Sequence, residues 1–344
     1  MIHAVDIKNL SKIINNTVIL DDISLSIEKG SIAGIIGRSG AGKTTLLRCL
    51  SGLEAASSGT IHLLGQDIAS KNKKNTVPIQ QKIGVIFQQF NLLSRRTVFE
   101  NVAFPLEIRG FSQTLIQERV THILDLVGLT GKECAYPREL SGGQCQRVAI
   151  ARALVVDTEV LLCDEFTSAL DPETTLDILE LLKNINKHLG VTVILITHDM
   201  TVVKEICDTV FVLEKGQCVE KGSMSTLLLH PIHETTQSLI GSLFKRELPH
   251  SYEERLVHEP LEGSQIIVRL LFSNSAAKEP IIASLVEKFH LPINIISGHL
   301  DHVREAVFGQ LLMSFPYTQT IFDDVQSYLN HYHVKTECVG YIRD

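Results

Sequence analysis

The chain has 344 residues, 44% of them hydrophobic and 21% charged, with no tryptophan and a net charge of −7. That length favours two domains, and the acidic balance argues against a broad basic surface for nucleic acid. Seven cysteines, at 49, 134, 145, 163, 207, 218 and 338, form no CxxC pair, which suits free thiols in a reducing compartment better than a disulfide framework or a zinc site. The opening "MIHAVDIKNLSK" has an early Asp and no apolar core, so it does not read as a signal peptide. The longest apolar runs, such as "VTVILIT" at 191–197, are strand-sized and well short of the roughly 20 residues that span a bilayer. Work at a membrane is therefore expected to run through partners. The nearest basic cluster is Lys71, Lys73 and Lys74, followed by Arg95 and Arg96, and its lysines read as a solvated loop.

In chain order, "HAVDIKNL", "VILDDISLSI" and "SIAGIIG" predict strands between residues 3 and 37, the last an apolar run typical of a buried parallel strand. "KTTLLRCLSGL" predicts a helix closed by glycine. Residues 89–155 hold few strand signals and more helical periodicity, as in "TLIQERVTHILDLVGL". Strands return at 160–165, 191–199 and 209–216, with a helix at 172–189. The alternation predicts an α/β domain over 1–242 with a largely parallel sheet and a helical insertion. Residues 243–263, charged and with two prolines, read as a linker. Over 264–344 the order strand, helix, strand, strand, helix, strand predicts a small α+β ferredoxin-like domain.

Chemistry gathers in the first domain. "GRSGAGKTT" at 37–45 fits G-x-x-x-x-G-K-[ST] after a buried strand and at the start of a helix. Gly37, Gly40 and Gly42 allow the backbone N–H groups to turn towards phosphate oxygens, helped by the helix dipole. Lys43 supplies charge to the β/γ-phosphates and Thr44 a hydroxyl for Mg²⁺, with Arg38, Ser39, Ala41 and Thr45 completing the loop. "VLLCDE" ends a strand in two carboxylates: Asp164 suits a metal held through water and Glu165 an attacking water. By itself such an ending also suits a structural strand edge. His198 closes the next strand, where open α/β sheets place ligands, although a lone histidine is more often structural. Gln88, in "VIFQQF", suits either a hydrogen-bonding plug or a side chain reaching metal and water. A further glycine turn, "LSGGQ" at 140–144, precedes a helix but has no lysine of its own.

Phosphate loop, Gln88, "LSGGQ", "VLLCDE", "SALD" and His198, in this order, resemble an ABC-type ATPase across residues 1–242. The resemblance implies ATP and Mg²⁺ as cofactors and a head-to-tail homodimer with two ATPs between the protomers. Ser141, Gly142, Gly143 and Gln144 would then meet the γ-phosphate held by the other copy's Lys43, which explains the missing lysine. Asp171 would lie at the dimer seam. The metal set would be Thr44, Gln88 and Asp164, and the catalytic set Glu165, His198 and Gln88. Three positions depart from the family pattern: Ile14 stands where an aromatic residue usually stacks on adenine, Phe166 follows Glu165 in place of a small residue, and Cys145 follows the glycine signature in place of a polar one.

One nucleotide domain, no membrane span and the segment "FNLLSRRTVFENVAFPLEI" after Gln88 resemble the importer branch. This implies two integral membrane permease subunits, a substrate-binding protein, and a place on the cytoplasmic face of the membrane. The tail, with "NIIS" at 294–297, resembles the NIL-type regulatory domain of methionine-importer ATPases. Methionine bound between two such domains would restrain the ATPase, with Asn294 and Ile295 as candidate contacts and Ile293 and Ile296 shaping a thioether pocket. A cap or turn role for Asn294 is the competing reading. Another amino acid or small solute is the alternative cargo; the remote alternative is a soluble ABC ATPase acting on ribosomes or DNA, a group that usually carries two ATPase domains or a long coiled coil, together with basic surfaces.

Overall fold

The computed structural model describes residues 3–68, 79–229, 231–244, 248–261, 263–273, 276, 279–303 and 306–343. Lys71, Lys73 and Lys74 lie outside these. Of the other two basic residues, Arg95 is exposed, while Arg96 pairs with Glu107 at 2.7 Å and stacks on Phe104. The chain divides into two units, 1–240 and 241–344.

The first unit holds two sheets. Strands β1 (His3–Ile14), β2 (Thr17–Glu28), β4 (Ser58–Leu63) and β5 (Gln66–Asp67) form an antiparallel sheet in the order β2-β1-β4-β5. The other sheet has six strands, from β3 (Ile32–Ile36), β6 (Ile83–Ile86), β7 (Val160–Asp164), β8 (Thr192–Ile196), β9 (Thr209–Glu214) and β10 (Gln217–Ser223), ordered β10-β9-β3-β8-β7-β6. Five of these are parallel; β10 runs antiparallel on the β9 edge. All five residues of β3 and of β8 are buried, which is why both read as unbroken apolar runs. The antiparallel sheet, and β4, β5 and β10 with it, had no expectation from the sequence. β10 (QCVEKGS) is polar and mostly part-exposed, as an edge strand tolerates.

Helices α1 (Lys43–Leu50), α2 (Val98–Ile108), α3 (Gln113–Leu126), α4 (Gly142–Leu154), α5 (Pro172–Leu189), α6 (Met200–Ile206), α7 (Met224–Leu229) and α8 (Glu234–Phe244) follow in chain order. α2, α3 and α4 make up the expected helical insertion. α2 starts at a capping box in which Thr97 accepts from Glu100 N at 3.2 Å and Glu100 accepts from Thr97 N at 2.7 Å. α5 matches its predicted bounds because its signals are local: Asp171 caps it, Pro172 opens it, and Gly190 at φ 65° closes it.

In the second unit, β11 (Gln265–Ser273), β12 (Asn294–Val303), β13 (Ala306–Pro316) and β14 (Lys335–Ile342) pair antiparallel in the order β12-β13-β11-β14. α10 (Ile281–Phe289) and α11 (Gln319–His331) supply Leu285, Val325 and Leu329 to a core with Ile266, Val268, Leu270, Met313 and Phe315. A second cluster, Ile267, Leu312 and Ile342, is covered by Leu248, Tyr252 and Leu256. The expected linker is thus differently disposed. α8 continues through its start, α9 (His250–Glu253) follows, and Val257 bridges to Tyr341. Apolar residues spaced by four, Leu248, Tyr252 and Leu256, carry this packing between charged neighbours that obscured it in sequence.

Candidate functional site

The register of the parallel sheet assembles the site. Ile35 of β3 pairs with Ile196 of β8, Asp164 of β7 pairs with the same Ile196, and Ile86 of β6 pairs with Cys163. The residues leaving those strands at one edge are Gly37, His198, Glu165 and Gln88. Side by side along β3-β8-β7-β6 therefore come the phosphate loop, His198, the carboxylate pair and Gln88. At about 4.8 Å per strand, loop and carboxylates are about 10 Å apart. This is the carboxyl-end edge where open α/β sheets bind ligands.

Gly37 (φ 156°) and Gly42 (φ 98°) tolerate no side chain. A Cβ on Gly37 would stand 2.3 Å from the Leu213 carbonyl oxygen, and one on Gly42 would meet Leu20 Cδ2 at 2.8 Å and Ile19 O at 2.9 Å. The loop wraps the buried Lys43, whose Nζ donates to the carbonyls of Gly37 (2.8 Å) and Arg38 (3.0 Å). Burial lowers the Lys43 pKa, partly opposed by Glu165 and Asp164. Ala41 is buried, Arg38, Ser39, Gly40 and Thr44 are exposed, and Thr45 is half-buried in the first turn of α1.

Burial also raises the Asp164 carboxyl above its ordinary range, as does neighbouring Glu165, against Lys43 and Arg48. Such a carboxylate is one that a cation would stabilise. Among the described residues no three His, Cys, Asp or Glu side chains gather as a metal cluster. A cation here would take oxygens from Asp164, the Thr44 hydroxyl and Gln88, a hard donor set suited to Mg²⁺ with phosphate and water filling the rest. Glu165 holds a left-handed backbone, φ 43°, with its N–H donated to Ile196 O at 2.8 Å. That conformation is costly for a side-chain-bearing residue and aims Glu165 away from the strand direction. Its Oε1 lies 3.1 Å from His198 Nδ1. A carboxylate in its ionised form can only accept, so this contact calls for the His198 tautomer that donates from Nδ1 and leaves Nε2 for another partner. Phe166, fully buried, is core packing behind this turn.

The glycine signature starts α4. Ser141 caps it, accepting from Gln144 N at 3.3 Å while Gln144 Oε1 accepts from Ser141 N at 3.1 Å. Ser141 and Gly142 are exposed. A Cβ on Gly142 would meet Leu170 Cδ2 at 3.4 Å, and one on Gly143 would stand 2.5 Å from Thr174 Cγ2. Asp171 caps α5, accepting from Thr174 N (2.9 Å) and Thr174 Oγ1 (2.6 Å), and the Thr174 hydroxyl lowers its pKa. Cys145 is buried with Sγ 3.5 Å from Pro137 O. Ile14 ends β1 opposite Thr17, half-buried. In the second unit Asn294 is exposed and donates to Tyr252 Oη at 3.2 Å; Ile295 is exposed, at an irregularity in the β12 register.

Sequence reasoning missed two contributors. Arg152, on α4, donates to Asn91 O (2.7 Å) and Phe90 O (3.1 Å), fixing the segment that follows Gln88. Tyr252 fell in the expected linker; its spacing by four from Leu248 and Leu256 was the available signal.

A phosphate loop and an acid–histidine pair along one sheet edge, followed by a second small domain, define the ATP-binding subunit class of ABC transporters. The ABC transporter family model matches residues 20–168 and the NIL domain model residues 266–338. The methionine import ATP-binding protein MetN of Mannheimia succiniciproducens is 44% identical over 343 residues, 98% of this chain and 99% of its own. Its counterpart in Vibrio vulnificus strain YJ016 is 46% identical over 323 residues, 94% of each chain. The chain belongs to this methionine import ATP-binding protein family. Among solved structures, cbiO1 of Clostridium perfringens, part of the ABC transporter complex cbiONQ, is similar with a TM-score of 0.61 and 32% identity, over 65% of this chain and 89% of that one. A dimeric ATP-binding cassette in a post-hydrolysis state bound to ADP and Pi has a TM-score of 0.58 and 32% identity, over 64% of this chain and 98% of that one.

Proposed function

We propose that this protein is the ATP-hydrolysing subunit of a methionine importer, and that its C-terminal domain reports methionine back to the ATPase. The observation that carries the first half is the register that sets the phosphate loop, His198, Asp164–Glu165 and Gln88 on consecutive strand ends. The loop, from Gly37 to Thr45, holds the ATP phosphates, with the Lys43 ammonium, steadied by the Gly37 and Arg38 carbonyls, offering them its remaining N–H. Thr44, Asp164 and Gln88 would hold Mg²⁺, which would offset charge on the phosphate oxygens. Glu165, steadied by His198, orients and polarises the attacking water, and His198 Nε2 faces the phosphate. The second copy supplies Ser141, Gly142, Gly143 and Gln144, whose helix N-terminus offers backbone N–H groups and a favourable dipole to an anion; Asp171 lies at that seam. Dimeric relatives support this homodimer.

Among the described residues no helix is long and apolar enough to cross a membrane, so transport requires permease subunits that hold this chain peripherally at the membrane. A substrate-binding protein delivers cargo to that permease. Asn294 and Ile295 are the proposed methionine contacts. A ligand there slows the ATPase only by its differential affinity for two arrangements of the dimer. ATPase activity of the assembled complex, titrated with free amino acids, tests both halves. Inhibition by methionine alone is expected; response to another amino acid would reassign the cargo. Co-purification with ribosomes or DNA instead of an integral membrane partner would overturn the transport reading.

A further inference from the structure

α8 is the last element of the first unit, and from it the chain runs on into the second. Its start is pinned to the β9–β10 edge. Glu220 accepts from the backbone N–H groups of Ile232 (3.0 Å) and His233 (2.9 Å), and Glu214 accepts from Thr235 Oγ1 at 2.6 Å. Thr235, Thr236 and Ile240 are buried beneath it. One turn beyond Thr235, on the exposed face, Ser238 Oγ accepts from Arg38 Nη2 at 2.9 Å. The Thr235 hydroxyl chiefly holds the Glu214 carboxyl below its ordinary range, and Lys215, His233 and the Arg38 guanidinium add to that.

Arg38 matters through its carbonyl. That oxygen accepts from Ala41 N at 3.2 Å, closing the phosphate loop, and from Lys43 Nζ at 3.0 Å. The same side of the loop rests on the end of β9: Gly37 has no space against Leu213 O, and Gly216 N donates to Ala41 O at 3.1 Å. The Arg38 peptide is thus fixed from behind by β9 and at its side chain by α8.

We propose that Arg38 and Ser238 form a positioning pair through which α8 sets the geometry of the phosphate loop before ATP arrives. Neither residue needs to touch the reacting atoms through its side chain. The hydrogen bond is solvent-exposed, so losing it costs no more than one ordinary hydrogen bond and leaves the fold intact. Its effect falls on the placement of one carbonyl and one lysine, and therefore on nucleotide affinity. Because α8 leads into the C-terminal unit, a shift of that helix by part of a turn changes the loop at 37–45 directly. The inference rests on the reading of that loop as the ATP site.

The test uses the full chain assembled with its permease, measuring the KM for ATP, kcat and thermal melting. Ser238→Ala is expected to raise KM roughly threefold to tenfold, the worth of one hydrogen bond, with kcat within about twofold. Its melting temperature should move by no more than about 2 °C. Ser238→Thr, which keeps the hydroxyl, should restore KM. Arg38→Ala should raise KM by as much, and the double variant by no more than either single change. An unchanged KM in Ser238→Ala, failed rescue by Ser238→Thr, or additive effects would overturn the pair. Lys43→Ala is the control. If it abolishes nucleotide binding while Ser238→Ala is silent, the pair alone is wrong; if it leaves binding intact, the loop reading falls and the pair falls with it.

Discussion

The strand-end site of the first unit and the Asn294 corner of the second are built on opposite principles. In the first, Lys43 is buried, Asp164 is held in a setting that disfavours its charge, Glu165 takes a left-handed backbone and two glycines have no room for a Cβ. Each is a local cost that the surrounding sheet enforces. In the second, Asn294 and Ile295 are exposed on an irregular stretch of strand, and the Asn294 amide donates to Tyr252, from a helix of four residues. Charge developing in a reaction is best met by groups already fixed in place. A sensor instead needs contacts that ligand can exchange, since only differential affinity moves an equilibrium.

Removing the fixed group should have the largest effect. Glu165→Gln keeps the shape and the His198 contact but cannot take up a proton, so ATP hydrolysis should fall by about 10²- to 10⁴-fold while nucleotide binding persists. Wild-type turnover, measured as phosphate release from pre-bound ATP, would refute the assigned role. Gly143→Ala probes a different rigidity. Thr174 cannot easily turn its methyl away from the new Cβ, because its hydroxyl is bonded to Asp171. Overpacking of about 1–3 kcal/mol at the α4 N-terminus should cut the ATPase rate roughly tenfold or more. Thr174→Ser removes the methyl and keeps the hydroxyl, so the pair Gly143→Ala/Thr174→Ser should recover most of the loss.

At the adaptable site the expected changes are smaller. Asn294→Ala should weaken inhibition by methionine about tenfold, the worth of one or two hydrogen bonds, with the uninhibited rate kept. Tyr252→Phe, which leaves the Asn294 amide without its hydroxyl partner, should shift the same curve by a smaller factor. Identical inhibition curves for the wild type and Asn294→Ala would remove Asn294 from the site.

The contrast also explains what the sequence disclosed. The phosphate loop, the Asp-Glu strand end and helix α5 are legible because their causes lie within a few residues: glycines for positive φ, an apolar run before the carboxylates, Asp-Pro at one helix end and Gly at the other. The βαββαβ order of the tail was legible from alternating periods. What escaped was non-local. The pairing of β1 with β2 and β4 as a separate antiparallel sheet carries no short signature, and two-residue β5 could carry none. Arg38 and Ser238 meet across 200 positions. Tyr252 belongs to a stretch whose charge masked its apolar spacing, so the partner of Asn294 appeared only in the fold.

The smallest effect separates stability from function within the strand-end site. Burial first, and Glu165 second, raise the folded-state pKa of Asp164 above its ordinary value of 3.8. For a carboxyl raised in this way, ionisation costs more in the folded than in the unfolded chain. The penalty is therefore absent at low pH, grows as pH rises from the unfolded value through the folded one, and is fully present at neutral pH. Asp164→Asn has no such penalty. Without nucleotide it should melt about 1–3 °C above the wild type at pH 7, and the gap should close as pH falls towards 4. Mg²⁺ and ATP should reverse the order. Ligand near 100 times its Kd adds about 2.7 kcal/mol to the wild type, whereas the variant, lacking the carboxylate that draws the cation, gains less. Melting curves at two pH values with and without Mg²⁺ and ATP read all four corners. Were the variant no more stable than the wild type at pH 7 without nucleotide, the strained-carboxylate account of this site would be wrong even if the enzyme were inactive.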